Sequence, residues 1–151
     1  MDDEEFKQRL EELIEDRHSG ASELARLGLE IAAQCAQSAE VKKTIELRHY
    51  LAERAEALGA VRPSMSPLKN LMEEWKESLE VLPDEVNEAR VTATENAMHL
   101  AEQSTKASFE AAALTSALVG DNKTIITHSF SSTVLEVFHL LKSRSVRAIV
   151  P

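Results

Sequence analysis

Lys123-Thr124-Ile125-Ile126-Thr127-His128-Ser129-Phe130-Ser131-Ser132-Thr133-Val134-Leu135 is the stretch at which the sequence changes its pattern. Before it, from Asp84 to Val119, there is no glycine or proline. Gly120-Asp121-Asn122 breaks that run, and Lys123–Thr127 is a β-branched stretch bounded by turn residues, which predicts a strand. His128–Ser132 reads as a polar loop. From Thr133 to about Lys142 the apolar residues Val134, Leu135, Val137, Phe138 and Leu141 recur at helical spacing. Val146-Arg147-Ala148-Ile149-Val150 predicts a second strand. Strand, loop, helix and strand in such short compass form a βαβ unit, so the strands should run parallel with a right-handed crossover. Two parallel strands still want more strands, and helices on both faces. The expectation is a sheet begun but not finished within these residues, as in a fragment or a truncated form.

The preceding run predicts one long helix. Val86, Ala93, Ala97, Leu100, Ser104, Ala107, Ala111, Leu114 and Leu118 recur in steps of three, four or seven, a heptad-like seam. At 1.5 Å per residue the helix would extend roughly 50 Å. A seam of Ala and Ser buries too little apolar area to drive self-pairing, so the expected partners are the chain's own shorter helices. Four of these precede it. The first spans 3–16, with Phe6, Leu10, Leu13 and Ile14 inward. The second spans 21–39, capped by Ser19 or Ser22, with Leu24, Leu27, Ile31, Cys35 and Ala39 inward. The third spans 40–58 with Val41, Ile45, Leu47, Leu51, Ala55 and Leu58, and Gly59 is read as its stop. After the loop 60–67, Ser66 and Pro67 open a fourth helix to about residue 80, burying Leu68, Leu71, Met72, Trp75 and Leu79.

The fold class is therefore mainly α: an N-terminal helical bundle with one long helix over 1–120, leading into the first βαβ unit of an incomplete Rossmann-like α/β domain over 121–151.

Composition narrows the function classes. The net charge is −9, from 17 Lys and Arg against 26 Asp and Glu. Eight acids but only Lys7 and Arg9 as bases occupy the first sixteen residues. That balance opposes nucleic-acid binding, which needs basic neutralisation of phosphates. Cys35 is the single cysteine and lies on an apolar helix face, so it reads as a core residue and no internal disulfide can form. The acidic start is unlike a signal peptide and no run reaches membrane-span length, so the expectation is a cytoplasmic protein without a membrane role. The histidines form no metal-ligand spacing with one another or with Cys35, and no metal or cofactor is expected.

One stretch could carry chemistry. His128–Ser132 sits at the carboxyl end of the first strand, where open α/β sheets bind ligands. Its serines and the backbone N–H groups of the following helix could cradle an anion, although Ser132 could equally be a simple cap. His128 beside Ser129 is a poor base–nucleophile pair, because loop neighbours point apart and no carboxylate stands ready to orient the ring. Arg62, in the Pro-rich loop, could reach an anion or merely cap a helix.

Three segments together carry a resemblance: Ser19-Gly20-Ala21; Arg62-Pro63-Ser64 with Pro67-Leu68-Lys69-Asn70; and Ile125 to Leu135. They resemble the alpha/beta/delta regulatory subunits of translation initiation factor 2B and the related isomerases of ribose 1,5-bisphosphate and methylthioribose 1-phosphate. The resemblance runs from about residue 6 to 151 and corresponds to the N-terminal half of such a protein. It leaves room for a sugar-phosphate or nucleotide ligand in an intact relative, with Gly20, Ala21, Arg62, His128, Ser129, Ser131 and Ser132 as the candidate ligand-binding residues. It also implies protein partners in a homo- or hetero-oligomer formed through the C-terminal half of intact relatives. The isomerases carry a catalytic cysteine directly after the Thr-His pair, and Ser129 occupies that place here. Their Gly-Ala pair follows an arginine, where this chain has Ser19, and their partner aspartate belongs to the other half.

The reading is a non-catalytic regulatory-subunit-like protein, with no catalytic residues assigned. Its rivals are an isomerase relative acting on those sugar phosphates, and a purely helical adaptor.

Overall fold

The structure, a computed structural model, describes residues 1–128 and 131–150. Its elements are α1 (Asp3–Glu15), α2 (Ala21–Ser38), α3 (Thr44–Ala60), α4 (Ser66–Ser78), a 3-10 turn (Leu79–Val81), α5 (Val86–Val119), β1 (Thr124–Ile126), α6 (Ser132–Leu141) and β2 (Arg147–Ile149). They fall into two compact units, Met1–Glu102 and Gln103–Pro151.

The first unit is helices packed on helices. α4 lies against both α2 and α3, and α1 against α2. Leu24, Leu29, Ile31, Leu47, Leu51, Leu58, Leu68, Met72 and Trp75 form a sealed interior, lined by Ala89, Ala93 and Ala97 of α5. Gly28 permits the close approach of α2 and α4: a Cβ there would come 2.6 Å from Leu68 Cδ1. Side chains tie α3 to the connector before α5. Thr44 Oγ1 donates to Asp84 O at 2.8 Å, and Arg48 Nη2 to Leu82 O at 2.8 Å.

Several expectations need correction. α3 starts at Thr44 and runs through Gly59 to Ala60, so the stop is the Arg62-Pro63 turn that follows. Ile45 and Ile14 point to solvent, because each stands at the margin of its helix's apolar stripe rather than at its centre. The caps also moved: Gly20, not a serine, precedes α2, and Met65 precedes α4. The expected serines lie one or two positions away, Ser19 and Ser22 about Gly20 and Ser66 after Met65, and neither helix start has a side-chain capping bond from its cap residue. On α5, Ala93, Ala97 and Leu100 are buried as expected, joined by Ala89, but beyond residue 102 the buried face turns to Ala112 and Ser116. Leu114 and Leu118 are therefore exposed, Leu118 at 87%.

The second unit contains the parallel pair read from the sequence. Thr124, Ile125 and Ile126 pair with Arg147, Ala148 and Ile149. The ladder is extended by Arg147 N donating to Lys123 O at 2.9 Å and Thr127 N to Ile149 O at 3.1 Å. Gly120 ends α5 at φ 67°, a left-handed position that a residue without Cβ takes without strain. Val137 and Leu141 of α6 meet Ala112 of α5 in a small core, with Val119, Ile125 and Val146 at its rim.

Candidate functional site: two turns at helix N-termini

The structure places the candidate residues in two sets. Gly20, Ala21 and Arg62 belong to the first unit; His128, Ser131 and Ser132 belong to the second. Ser129 lies outside the described residues.

In the first set, α1 ends in a turn organised by Asp16. Its Oδ1 accepts from His18 N at 2.8 Å and Ser19 N at 2.9 Å. Those bonds, Ser19 foremost, hold the carboxyl below its ordinary 3.8, at about 2. Arg62 reaches the same turn: Nε donates to Leu13 O at 3.3 Å and Nη2 to Asp16 O. The guanidinium thus satisfies carbonyls that the last turn of α1 leaves open. Gly20 and Ala21 follow the turn and open α2. The Gly20 carbonyl accepts from Glu23 N and Leu24 N at 3.0 Å, and no side chain caps the helix start. Arg62 is therefore brought to the α1–α2 turn through Asp16, whereas the spacing of more than forty residues hid that contact in the sequence. Asp16 was missed as well, although an Asp followed by polar turn residues is an Asx-turn signal.

Two outcomes follow. Arg62→Ala should cost about 1–2 kcal/mol in a urea melt, since two donors to a helix C-terminus are lost. Arg62→Lys, which cannot span both carbonyls, should recover less than half. For Asp16 the folded-state pKa lies below the unfolded one, so its contribution is present above about pH 4 and is lost as pH falls toward 2. The stability difference between wild type and Asp16→Asn should shrink over that window. A difference independent of pH would contradict the assignment.

In the second set, His128 follows β1, and Ser131 and Ser132 stand at the start of α6. His128 is exposed, and Ser131 and Ser132 are half-buried. Ser131 precedes α6 with extended backbone, φ −148° and ψ 134°, and its carbonyl accepts from Leu135 N at 3.0 Å. Its hydroxyl makes no capping bond. The first turn of α6 thus presents backbone N–H groups at the carboxyl end of a parallel strand, a position suited to an anion.

Cys35 is sealed in the core, and burial raises its thiol to about 11, which removes it as a nucleophile near neutral pH. Among the described residues no group of His, Cys, Asp and Glu is arranged to hold a metal. A cleft of about 530 Å³ opens between α3 and α4, lined by Glu56, Gly59, Pro63, Lys69, Met72 and Lys76 among others, and the candidate residues stand outside that lining. No described helix is long and apolar enough to cross a membrane.

Comparison with known proteins decides the family. Residues 17–150 match the model of the initiation factor 2 subunit family. The chain belongs to that family. A protein of Pyrococcus horikoshii named as translation initiation factor eIF-2B subunit 2-like is 33% identical over 138 residues, 91% of this chain and 46% of its own. Its Pyrococcus abyssi counterpart is 33% identical over 135 residues, covering 89% and 45%. The crystal structure of the P. horikoshii OT3 translation initiation factor eIF-2B superposes with a TM-score of 0.77 at 31% identity, over 97% of this chain and 49% of that one. The delta subunit from A. fulgidus shares the fold, with a TM-score of 0.68 at 19% identity. This member of the initiation factor 2 subunit family thus spans about half the length of the curated relatives it matches.

Proposed function

We propose that the chain acts as a non-catalytic, regulatory-subunit type of initiation factor 2B protein, assembling with other subunits in the cytoplasm and holding a sugar phosphate at the turn after β1. The observation that carries the non-catalytic reading is Ser129, which stands directly after Thr127-His128 where the resembling isomerases have cysteine. A hydroxyl is a far weaker acid than a thiol and is a poor proton donor near neutral pH.

The ligand reading is supported by the start of α6, where Ser131 and Ser132 flank N–H groups that the cap hydroxyl does not take. Gly20, Ala21 and Arg62 offer a second set. Arg62 carries five N–H donors and uses two of its nitrogens on α1, so it can meet a phosphate without releasing the helix. Protein partners are supported by the relatives' names, which are those of subunits.

The test is a pair of measurements on the same preparation. Ribose 1,5-bisphosphate and methylthioribose 1-phosphate should show no isomerisation above a protein-free blank, and turnover would reverse the non-catalytic reading. Millimolar ribose 1,5-bisphosphate should raise the melting temperature and shift the amide resonances of residues 131–133 more than inorganic phosphate does. Unchanged amides would remove the ligand.

A further inference from the structure

In the first unit, α1 lies in a seat made by its neighbours. It packs on α2, and α3 supplies Tyr50 and Arg54 beside it. Phe6 and Leu13 are buried and Leu10 is half-buried against the same core, so the helix enters by residues at i, i+4 and i+7. That is the anchor spacing of an amphipathic helix laid in a groove. The seat is basic at both ends. Arg54 stacks over the Phe6 ring at 4.2 Å and the Tyr50 ring at 4.8 Å, and donates to the Asp3 carboxylate in the first turn. Arg62 donates to the carbonyls of Leu13 and Asp16 at the other end. The occupant is acidic, with Asp3, Glu4, Glu5, Glu11, Glu12 and Glu15 against Lys7 and Arg9. Its hold is light. Phe6 and Leu13 are the buried residues among its 13, and its last turn carries Glu12 and Glu15 with no basic residue, which the negative end of the helix dipole disfavours.

We propose that this seat is a recognition groove for an acidic amphipathic helix of a partner protein, and that α1 closes it in cis until such a helix displaces it. Charge complementarity fixes the chemistry of the partner. Its first turn carries a carboxylate for Arg54, its apolar residues stand at the spacing of Phe6, Leu10 and Leu13, and its last turn leaves carbonyls open to Arg62. Elements held by few buried contacts open ahead of the body they pack on, which gives the partner its entry. The residues that match the family model begin at 17, so Tyr50, Arg54 and Arg62 of the seat lie inside the matched stretch and α1 lies ahead of it. The proposal concerns the first unit alone and is independent of the ligand and of the absence of catalysis.

Cys35 serves as the reporter. It is 0% exposed, with Sγ 3.7 Å from Sδ of Met1, so the segment leading into α1 covers it. In the full chain, Phe6→Ser with Leu13→Ser removes both anchors of the occupant and leaves the seat unaltered. Its thiol should react with an aromatic disulfide reagent at least about tenfold faster than in wild type, while Trp75 keeps the emission of a folded first unit. Asp3→Lys, a change at a largely exposed carboxylate, should give a smaller acceleration. The probe is a synthetic helix that keeps the acids, Phe6, Leu10 and Leu13 of α1 at their spacing and is alanine elsewhere. It should bind the double variant at least about tenfold more tightly than wild type, whose groove is already filled, and return Cys35 to its slow rate. Arg54→Gln in the double variant should weaken the probe at least about tenfold. If the double variant loses its Trp75 signal, the probe is measured on Asp3→Lys and the same outcomes decide. A thiol that stays slow in both variants, a probe that binds opened and wild-type chains alike or neither, or a dimer in light scattering, which makes the α1 of a second copy the occupant, would overturn the proposal.

Discussion

Trp75→Ala is expected to lower the unfolding free energy of the first unit by about 3–5 kcal/mol. The indole is fully enclosed, at 0% exposure, and is among the largest side chains in the interior. It shares one core with Ala89, Ala93 and Ala97 of α5, which supply little volume of their own. Truncation therefore opens a cavity that its neighbours cannot fill by changing rotamer. Nε1 also donates to Ala93 O at 2.9 Å, so the ring fixes both the distance and the register of α5 against α4. Trp75→Phe separates the two effects. It keeps most of the volume, loses the donor, and should cost roughly 1–2 kcal/mol. Urea melts followed by circular dichroism at the helix band measure both, and a loss below about 1 kcal/mol for the alanine variant would mean the cavity collapses.

The second large effect is expected at Leu141. The core of the second unit contains three buried apolar residues, Ala112, Val137 and Leu141. Leu141→Ala removes about 2–5 kcal/mol from a body whose own core supplies a comparable total. The outcome should be loss of the strand pair rather than partial weakening. Hydrogen exchange at Thr124–Ile126 and Arg147–Ile149 should become as fast as in a free peptide, while amides around Leu24 and Leu51 remain protected. Strands that stay protected in this variant would show that the sheet does not depend on α6.

The strands were legible because their signal is local. A β-branched run flanked by Gly120-Asp121-Asn122 needs no knowledge of its partner to be recognised, and the parallel pairing follows from the helix between the runs. The centres of the helices were legible for the same reason, through the spacing of Leu24 and Ile31 or of Leu51 and Leu58. What failed depends on distant neighbours. Leu114 and Leu118 continue the spacing of Ala93, Ala97 and Leu100, yet periodicity alone cannot say where the covering helices end. Ile14 and Ile45 are apolar, but stripe width is set by what packs against it. Of the candidate residues, the place of Ser131 and Ser132 at the start of α6 could be read directly. The grip of Arg62 on Leu13 and Asp16 could not, because it joins a loop to carbonyls more than forty residues earlier.

The position of Trp75 also governs what optical probes can detect. The chain has one tryptophan and one tyrosine, and both Trp75 and Tyr50 lie within Met1–Glu102. Intrinsic emission and near-ultraviolet absorbance above the phenylalanine band therefore report on one body alone. A fluorescence melt could trace a single clean sigmoid while residues 103–150 had already come apart unseen, and agreement between emission and far-ultraviolet dichroism would first have to be demonstrated before any one midpoint could stand for the whole molecule.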